Sequence, residues 1–264
     1  MTQAAAGTPG AGIAVQDIRE LTVLPGTDKT GEPERFEALH LAPGQMYAVV
    51  GNTGSGKSRL IKDVEQLVDG TSATHRRVMV NGALVERSQR RRAERNLIAH
   101  LNQSMRFVLD ATVGEFVALH AGCRSSRASV GEVVELANLI TPEAVDERMG
   151  LGQLSGGQTR ALMIADVALV CNSPVVLVDE IENAGINKAM ALRVLCDASK
   201  LVLVVTHDPH TALMASTRIV MEGGAVAAVR MRSAAEEALF DELGAMHERQ
   251  MILQERVRKG EALV

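Results

Sequence analysis

A glycine-rich segment between a buried strand and a helix constrains the fold of this chain most. The segment Gly51–Ser58 reads GNTGSGKS and matches the pattern G-x-x-x-x-G-K-[ST]. Before it, Met46–Val50 is a continuous apolar run, as in strands of parallel sheets that are buried on both faces. After it, Lys57–Asp69 carries apolar residues at helical spacing. The strand, turn and helix together predict an α/β domain with a parallel sheet.

The residue types in this turn predict a polyphosphate site. Glycines let the backbone curl with its N–H groups pointing inward, and the helix adds the partial positive charge of its N-terminus. We expect Lys57 to neutralise the β- and γ-phosphates and the Ser58 hydroxyl to ligate Mg²⁺. The predicted nucleotide-binding residues of the turn are Gly51, Asn52, Thr53, Gly54, Ser55, Gly56, Lys57 and Ser58.

Two adjacent carboxylates follow a second buried strand. The apolar run Val175–Val178 ends in Asp179 and Glu180. Open α/β sheets bind ligands at the carboxyl ends of their strands, where buried carboxylates are costly unless a metal or a reaction uses them. Asp179 suits the Mg²⁺ shell, and Glu180 suits a general base that deprotonates the attacking water. The structural alternative is an acidic residue that caps the N-terminus of a helix.

A third motif, Leu154–Gln158, reads LSGGQ and directly precedes the helical run TRALMIADVALV. With this motif the sequence resembles the ATP-binding cassette (ABC) ATPase family. The resemblance implies an ATP hydrolase in which the start of this helix binds the γ-phosphate of ATP held by the opposite subunit. Such a contact combines a helix dipole with backbone donors, as the glycine turn does. The residues implied are Ser155, Gly156, Gly157 and Gln158.

The other family elements follow in the usual order over residues 15 to 230, approximately. Gln103, in HLNQSM, resembles the Q-loop glutamine that touches Mg²⁺ and the attacking water. Asn183–Gly185 lies where the D-loop would cross the dimer interface, and His207 resembles the switch histidine that contacts the γ-phosphate. The resemblance therefore implies ATP and Mg²⁺ as cofactors. It gives Glu180, His207, Gln103 and Lys57 as catalytic residues and Ser58, Gln103 and Asp179 as metal ligands.

The chain also departs from the family pattern. The stretch LTVLPG at the end of the first strand lacks the aromatic residue that usually stacks on adenine, and Tyr47 is expected to pack in the core. Base selectivity therefore stays open. Ile181 follows Glu180 where Pro is usual, and the D-loop lacks its Asp. In the signature helix, Ala161 and Asp166 stand where arginines are common.

The 264 residues suit one large domain with a lobe. We expect a flexible tail at 1–14, an ABC-type ATPase domain at 15–232 and a C-terminal amphipathic helix at 233–264. Within the domain, a mainly parallel sheet is joined by an antiparallel β subdomain, with hairpins at 78–85 and 219–229. Three helical stretches form an inserted lobe at about 104–153. In the last helix, apolar residues at near-heptad spacing either pack on their own domain or pair with another chain, namely Leu239, Leu243, Met246, Leu253 and Val257.

Composition excludes several other classes of protein. The net charge is −4 and aromatic residues make up 2%, so neither a global positive field nor an aromatic platform for nucleic acid exists. The arginine run at 87–95 is expected to be a solvated helix end. Three cysteines without CxxC spacing fit reduced thiols, and we found neither a spanning segment nor a secretion signal. These features predict a cytoplasmic protein, either free or peripheral at the inner face of a membrane.

One polypeptide thus supplies two incomplete half-sites, and a head-to-tail homodimer would complete both. The leading hypothesis is the nucleotide-binding subunit of a transporter whose permease is a separate chain. Its basis is the segment Ala111–Phe116, which resembles the region that receives a permease's coupling helix. The alternative is a soluble ABC ATPase that remodels a protein partner, of the metalloenzyme maturation or nucleic-acid repair type.

Overall fold

The computed structural model describes residues 18–102, 105–179, 181 and 185–262. Its strands are β1 (Leu21–Leu24), β2 (Leu39–Leu41), β3 (Met46–Val50), β4 (Arg77–Val80), β5 (Ala83–Leu84), β6 (Ile98–Leu101), β7 (Val175–Asp179), β8 (Leu201–Val205), β9 (Thr217–Glu222) and β10 (Ala225–Met231). Its helices are α1 (Lys57–Glu65), α2 (Arg90–Leu97), α3 (Val113–Arg124), α4 (Val130–Ile140), α5 (Gly156–Leu169), α6 (Lys188–Asp197), α7 (Pro209–Met214) and α8 (Ala234–Arg258). The predicted tail at 1–14 lies outside the described residues.

The main sheet has six strands in the order β10-β9-β3-β8-β7-β6. All neighbours pair in parallel except β9 and β10, which form the predicted hairpin. Alternate side chains of β7 enter opposite cores: Val175 and Leu177 face the core shared with α1, whereas Val176 and Val178 face the core shared with α5. A sheet covered on both faces needs apolar residues at every position, and Val175–Val178 is apolar throughout for that reason. The predicted α/β fold class is confirmed.

Parallel pairing brings three strand ends to one edge of this sheet. In β8, Val205 lies opposite Val49 of β3 on one side and Asp179 of β7 on the other. The segments that leave β3, β7 and β8 therefore emerge side by side. These segments follow Val50, Asp179 and Val205, so the glycine turn, Asp179 and the histidine segment that the sequence singles out lie at one edge.

A second, antiparallel sheet has the order β2-β1-β4-β5 and forms the predicted β subdomain. Its β4–β5 hairpin turns at Asn81 and Gly82, which have φ values of 52° and 79°. Positive φ at both central residues is the geometry that an Asn-Gly dipeptide favours in two-residue hairpins. The hairpin prediction for residues 78–85 is confirmed.

The helical lobe contains two of the three predicted helices. α3 and α4 each begin with a capping box, Thr112 with Glu115 and Ser129 with Glu132. The third predicted stretch, residues 141–150, is irregular, so that prediction is wrong. Thr141 is extended ahead of Pro142, as residues before proline prefer to be, and this ends α4. Beyond it, the Asn138 side chain holds both backbone groups of Val145 in a non-helical loop.

The C-terminal helix α8 touches the domain mainly through its first half. The Phe240 ring stacks on His210 of α7 with centroids 4.9 Å apart, and the Arg232 guanidinium lies over Phe240. Four members of the near-heptad stripe are exposed, which are Leu239, Met246, Leu253 and Val257. The alternative in which the stripe packs on its own domain is therefore wrong for these four residues. Within the described ranges, no helix has the length and apolar character needed to cross a bilayer.

Candidate nucleotide site

The glycine turn between β3 and α1 is built from left-handed backbone packed against the β9–β10 turn. Gly51 has φ 145°, and a Cβ there would lie 2.3 Å from the Met221 carbonyl oxygen. Gly56 has φ 107°, and its Cβ would lie 2.9 Å from Cα of Gly224. The Gly224 N–H also donates to the Ser55 carbonyl at 2.9 Å. A side chain at position 51 or 56 would push the turn off the sheet.

Lys57 is buried within this turn and bonds to its carbonyls. Its Nζ donates to the carbonyl oxygens of Gly51 at 2.7 Å and Asn52 at 3.1 Å. The outer part of the turn, Asn52–Gly54, and the neighbouring Ser58 are exposed. A buried ammonium beside an exposed ring of backbone amides is the arrangement that a polyphosphate can enter without moving the fold.

The turn also contains a buried polar atom that the protein leaves unsatisfied. Among the described residues, the Ser55 hydroxyl is one of few buried side-chain groups that have no hydrogen-bond partner in the protein. Such a group is uncommon in a native structure, and a bound ligand is one of its physical explanations. The turn therefore fits a phosphate-bearing ligand by its own geometry.

The described donors also suit magnesium. Asp179 ends β7 and is half-buried, while the Ser58 hydroxyl opens α1. Hydroxyl and carboxylate oxygens are the hard ligands that Mg²⁺ prefers, and it usually takes one or two protein ligands together with phosphate oxygens. In the part of the chain that the structure covers, no cluster of three or more His, Cys, Asp and Glu side chains could hold a metal.

Several sequence-predicted residues have no described position. Gln103, Glu180, Asn183 and Ala184 lie outside the described residues. His207 is exposed and follows β8, and the N–H of the preceding Thr206 donates to the Val49 carbonyl at 3.3 Å. His207 therefore leaves the sheet beside the strand that feeds the glycine turn. Its role as a contact to the terminal phosphate stays a prediction.

The signature segment forms the start of α5 in the lobe. Ser155 is the N-cap: its hydroxyl accepts from the Gln158 N–H at 3.2 Å, and the Gln158 side chain accepts from the Ser155 N–H at 2.9 Å. Gln158 also donates to the Ala144 carbonyl at 2.7 Å, and the Ser155 hydroxyl donates to the Glu143 carboxylate. The capping box fixes the helix start and leaves Gly156 exposed at the end of the helix dipole.

A cavity of about 700 Å³ lies between this helix start and the sheet. Its lining includes Asn102 and Phe107 on either side of the Gln103 position, Gly156 and Gly157 of α5, and Val178 just before Asp179. The cavity therefore joins the segment after β6, the signature helix and the end of β7. Any movement of the lobe against the sheet changes its shape.

Tyr47 and Asp166, which the comparison with the family pattern singles out, form hydrogen bonds within the protein. Tyr47 is buried: its hydroxyl accepts from the Ala42 N–H at 2.9 Å and donates to Gln45 Oε1 at 3.1 Å. The prediction that Tyr47 packs in the core is confirmed. Asp166 of α5 is buried and bonds His120 Nδ1 at 2.8 Å, while Arg124 donates to His120 Nε2 at 3.2 Å. Because Arg124 donates to Nε2, the Nδ1 atom carries the hydrogen that bonds Asp166.

A buried ion network behind the turn has no signal in the sequence. Arg76 is fully buried and bonds Glu34 twice, at 2.8 and 2.6 Å, and Asp63 of α1 at 3.1 Å. It also donates to the Gly224 carbonyl at 2.7 Å. Burial opposes the guanidinium charge, but the Glu34 and Asp63 carboxylates together outweigh this effect and raise the pKa of Arg76. Burial raises the pKa of Asp63 as well. Glu34 and Arg76 are 42 residues apart, so no local pattern reveals the pair.

Comparisons with known proteins agree with this geometry. Residues 37–183 match the family model of ABC transporters. The chain is 43% identical over 249 residues to an uncharacterized ABC transporter ATP-binding protein of Methanocaldococcus jannaschii, covering 94% of this chain and 95% of that protein. It is 33% identical over 236 residues to the methionine import ATP-binding protein MetN of Streptomyces griseus, covering 79% of this chain and 61% of MetN.

Solved structures show the same fold. CbiO1 of Clostridium perfringens, part of the ABC transporter complex CbiONQ, superposes with a TM-score of 0.64 at 20% identity, covering 90% of this chain and 100% of CbiO1. A dimeric ATP-binding cassette in a post-hydrolysis state, bound to ADP and Pi, superposes with a TM-score of 0.59 at 22% identity. That match covers 81% of this chain and 99% of the other chain.

Proposed function

This chain belongs to the ABC transporter ATP-binding family and is an ATP hydrolase, and from that premise we propose that it energises a separate membrane permease as a head-to-tail homodimer. Its place is then the cytoplasmic side of a membrane, docked peripherally on the permease. The similarity to MetN, a methionine import protein by name, and to CbiO1, part of a transporter complex, supports this proposal.

In the proposed mechanism the glycine turn holds the triphosphate. Lys57 pairs with the β- and γ-phosphate oxygens, and Ser58, Gln103 and Asp179 would hold Mg²⁺, which would neutralise developing charge on the phosphates. Glu180 orients and deprotonates the attacking water, and His207 donates to the γ-phosphate. The helix start of a second copy, with Ser155, Gly156 and Gly157, encloses the same phosphate from the other side.

One observation carries the permease half of the proposal. The segment after Gln103 exposes apolar side chains: Val108 is 97% exposed, Leu109 51% and Met105 38%. Between them Phe107 is half-buried against Phe116 of α3, with ring centroids 4.8 Å apart. A segment that is anchored by one side chain and exposes its apolar neighbours is typical of a docking surface for another protein. It also lines the cavity that the signature helix borders.

The test is recovery of the partner from the membrane fraction. We expect the affinity-purified wild-type chain to bring down a protein with several spanning helices, and a Val108→Asp/Leu109→Asp variant to lose that protein while keeping its ATPase activity. The matched control is Leu239→Asp/Met246→Asp, which changes another exposed apolar pair, on α8. Recovery only from the soluble fraction, with an enzyme partner, would overturn the permease proposal and favour a remodelling ATPase.

A further inference from the structure

We propose that Lys29 is a further nucleotide-binding residue, whose ammonium pairs with the phosphates of the nucleotide in the glycine turn. This inference rests on the proposal that Gly51–Ser58 is the nucleotide site. Lys29 lies in the loop at residues 25–34, directly after β1, in the stretch that follows LTVL. The loop belongs to neither the turn nor the signature helix, so its contact with the site is an independent feature of this chain.

The contact itself is direct. The Lys29 ammonium donates to the carbonyl of Gly54, in the exposed part of the glycine turn. The Lys29 backbone N–H donates to the Gly223 carbonyl at 3.2 Å, which fixes the residue over the β9–β10 turn. The charge of Lys29 is therefore already at the turn before any ligand arrives.

Two glycines let the lysine approach so closely. A Cβ on Gly224 would lie 2.6 Å from Cγ of Lys29 and 3.0 Å from its backbone nitrogen. A Cβ on Gly56 would in turn lie 2.9 Å from Cα of Gly224. Gly224 thus lies between Lys29 and Gly56. The aliphatic stem of Lys29 packs directly on the backbone of Gly224, where no side chain intervenes. Any larger residue at position 224 would displace the stem from the turn.

The loop that carries Lys29 is held in one shape. The Asp28 carboxylate accepts from the Thr30 N–H at 2.7 Å, the Thr30 hydroxyl at 2.8 Å and the Glu32 N–H at 3.0 Å. Further along, the Glu34 carboxylate accepts from the Gly26 N–H at 3.0 Å and binds the buried Arg76. A loop tied at both ends loses little conformational entropy when its lysine binds a ligand.

The resting partner of the ammonium is one that a phosphate can replace. A carbonyl oxygen is neutral, whereas a phosphate oxygen carries a negative charge, so the ammonium gains a Coulomb attraction when a phosphate oxygen replaces the carbonyl. Lys57 shows the same arrangement from inside the turn, where its ammonium rests on the carbonyls of Gly51 and Asn52. Lys29 is the equivalent cation on the outer side. Entry of a triphosphate gives each ammonium a charged partner.

The experiment compares Lys29→Met, which keeps the aliphatic stem on Gly224 and removes the charge, with Lys29→Arg, which keeps the charge. Dissociation constants for ATP and ADP are measured on the full chain by calorimetry at low and high salt. We expect Lys29→Met to weaken both nucleotides about five- to tenfold at low salt and by a smaller factor at about 0.5 M salt. Lys29→Arg should stay within about twofold of wild type at low salt.

Lys62→Met is the matched control, because Lys62 is an exposed lysine on α1. It should bind as wild type does. Unchanged ATP and ADP affinity in Lys29→Met would overturn the inference, and so would a loss that salt leaves unaltered, since that would indicate a contact with the base. The underlying site is tested separately by Lys57→Ala: wild-type affinity in that variant would overturn the nucleotide site itself. The thermal midpoint of each variant confirms that it is folded.

Discussion

Arg76 holds three parts of the molecule with a single side chain. It joins Glu34 in the loop at residues 25–34, Asp63 in α1 and the Gly224 carbonyl in the β9–β10 turn. The other bonds of Glu34 reach the N–H groups of Gly26 and Val226. All three parts contact or continue the glycine turn: the loop through Lys29, the β9–β10 turn through Gly224, and α1 as the helix that follows it. The network therefore helps to position the glycine turn from behind.

Removal of this side chain should cost more stability than any surface substitution. Arg76→Ala leaves the Glu34 and Asp63 carboxylates buried without their cation, so we expect the free energy of unfolding to fall by about 3–5 kcal/mol. The measurement is equilibrium unfolding in urea. Arg77→Ala is the control, because Arg77 is the exposed neighbour in β4, and it should stay within about 0.5 kcal/mol of wild type. A similar loss in both variants would contradict a special role for the network.

The three cysteines should differ sharply in reactivity. Cys123 is exposed, Cys171 is buried, and burial raises the pKa of the Cys196 thiol to about 11. Because the thiolate is the nucleophile, Cys196 should react slowly at pH 8, where almost none of it is ionised. Alkylation of the folded protein followed by peptide mass spectrometry should find Cys123 labelled first. Equally fast labelling of Cys196 would show that its surroundings open in solution.

At the scale of elements, predictions from local pattern are accurate where one local cause dominates. Val175–Val178 is apolar because both faces of the sheet are covered, and the Asn-Gly turn sets its own hairpin. The sequence predicts that α1 runs to Asp69, but the helix ends at Glu65. Leu67 has a φ of 45°, which is not helical, and its side chain is nevertheless buried. Apolar spacing cannot distinguish a helical residue from one that tertiary packing buries.

Contacts distant in sequence account for what the sequence could not reveal. The LSGGQ letters identify the start of α5, but nothing in them indicates that Glu143 binds the Ser155 hydroxyl, because the two residues come from different segments of the lobe. The Lys29 contact with Gly54 likewise joins segments 25 residues apart. The sequence therefore predicts a chemistry for the site but does not reveal the side chains that Ser155 and Gly54 contact in this structure.

The Glu143 contact leads to a prediction about the signature helix. The Glu143 carboxylate accepts the hydrogen bond of the Ser155 hydroxyl, which the proposed dimer would present to a phosphate. The negative charge of Glu143 would also repel that phosphate. Glu143→Gln should lower the ATP concentration that gives half-maximal dimer by about two- to fivefold in a Glu180→Gln background. Light scattering during ATP titration measures this. Glu147→Gln is the control, an exposed carboxylate in the same loop, and an equal shift in both variants would indicate only a change in net charge.

In the whole molecule, the glycine turn and the start of the signature helix are held in place by different contacts. The glycine turn is fixed to the sheet through Gly224, whereas the signature helix is fixed within the lobe through Ala144 and Glu143. A cavity of about 700 Å³ lies between the lobe and the sheet near Gly156 and Val178. Ala161 and Leu162 of α5 pack in one core with Val176 and Val178 of β7, so the signature helix and the sheet are held together beside this cavity. In the proposed dimer, the helix start of one copy would therefore reach the nucleotide of the other by movement of whole copies, which would also move a docked partner.

As the proposed general base, Glu180 should separate nucleotide binding from turnover. Glu180→Gln keeps the size of the side chain and removes the proton acceptor, so ATP should bind normally while hydrolysis falls by at least about a hundredfold. Because hydrolysis is what reopens the proposed dimer, ATP and Mg²⁺ should convert the variant from monomer to a stable dimer in size-exclusion chromatography with light scattering. Glu182→Gln, the next carboxylate along the chain, should behave as wild type. A Glu180→Gln variant that stays monomeric with ATP and keeps full activity would refute both the catalytic role of Glu180 and the closure of two copies around ATP.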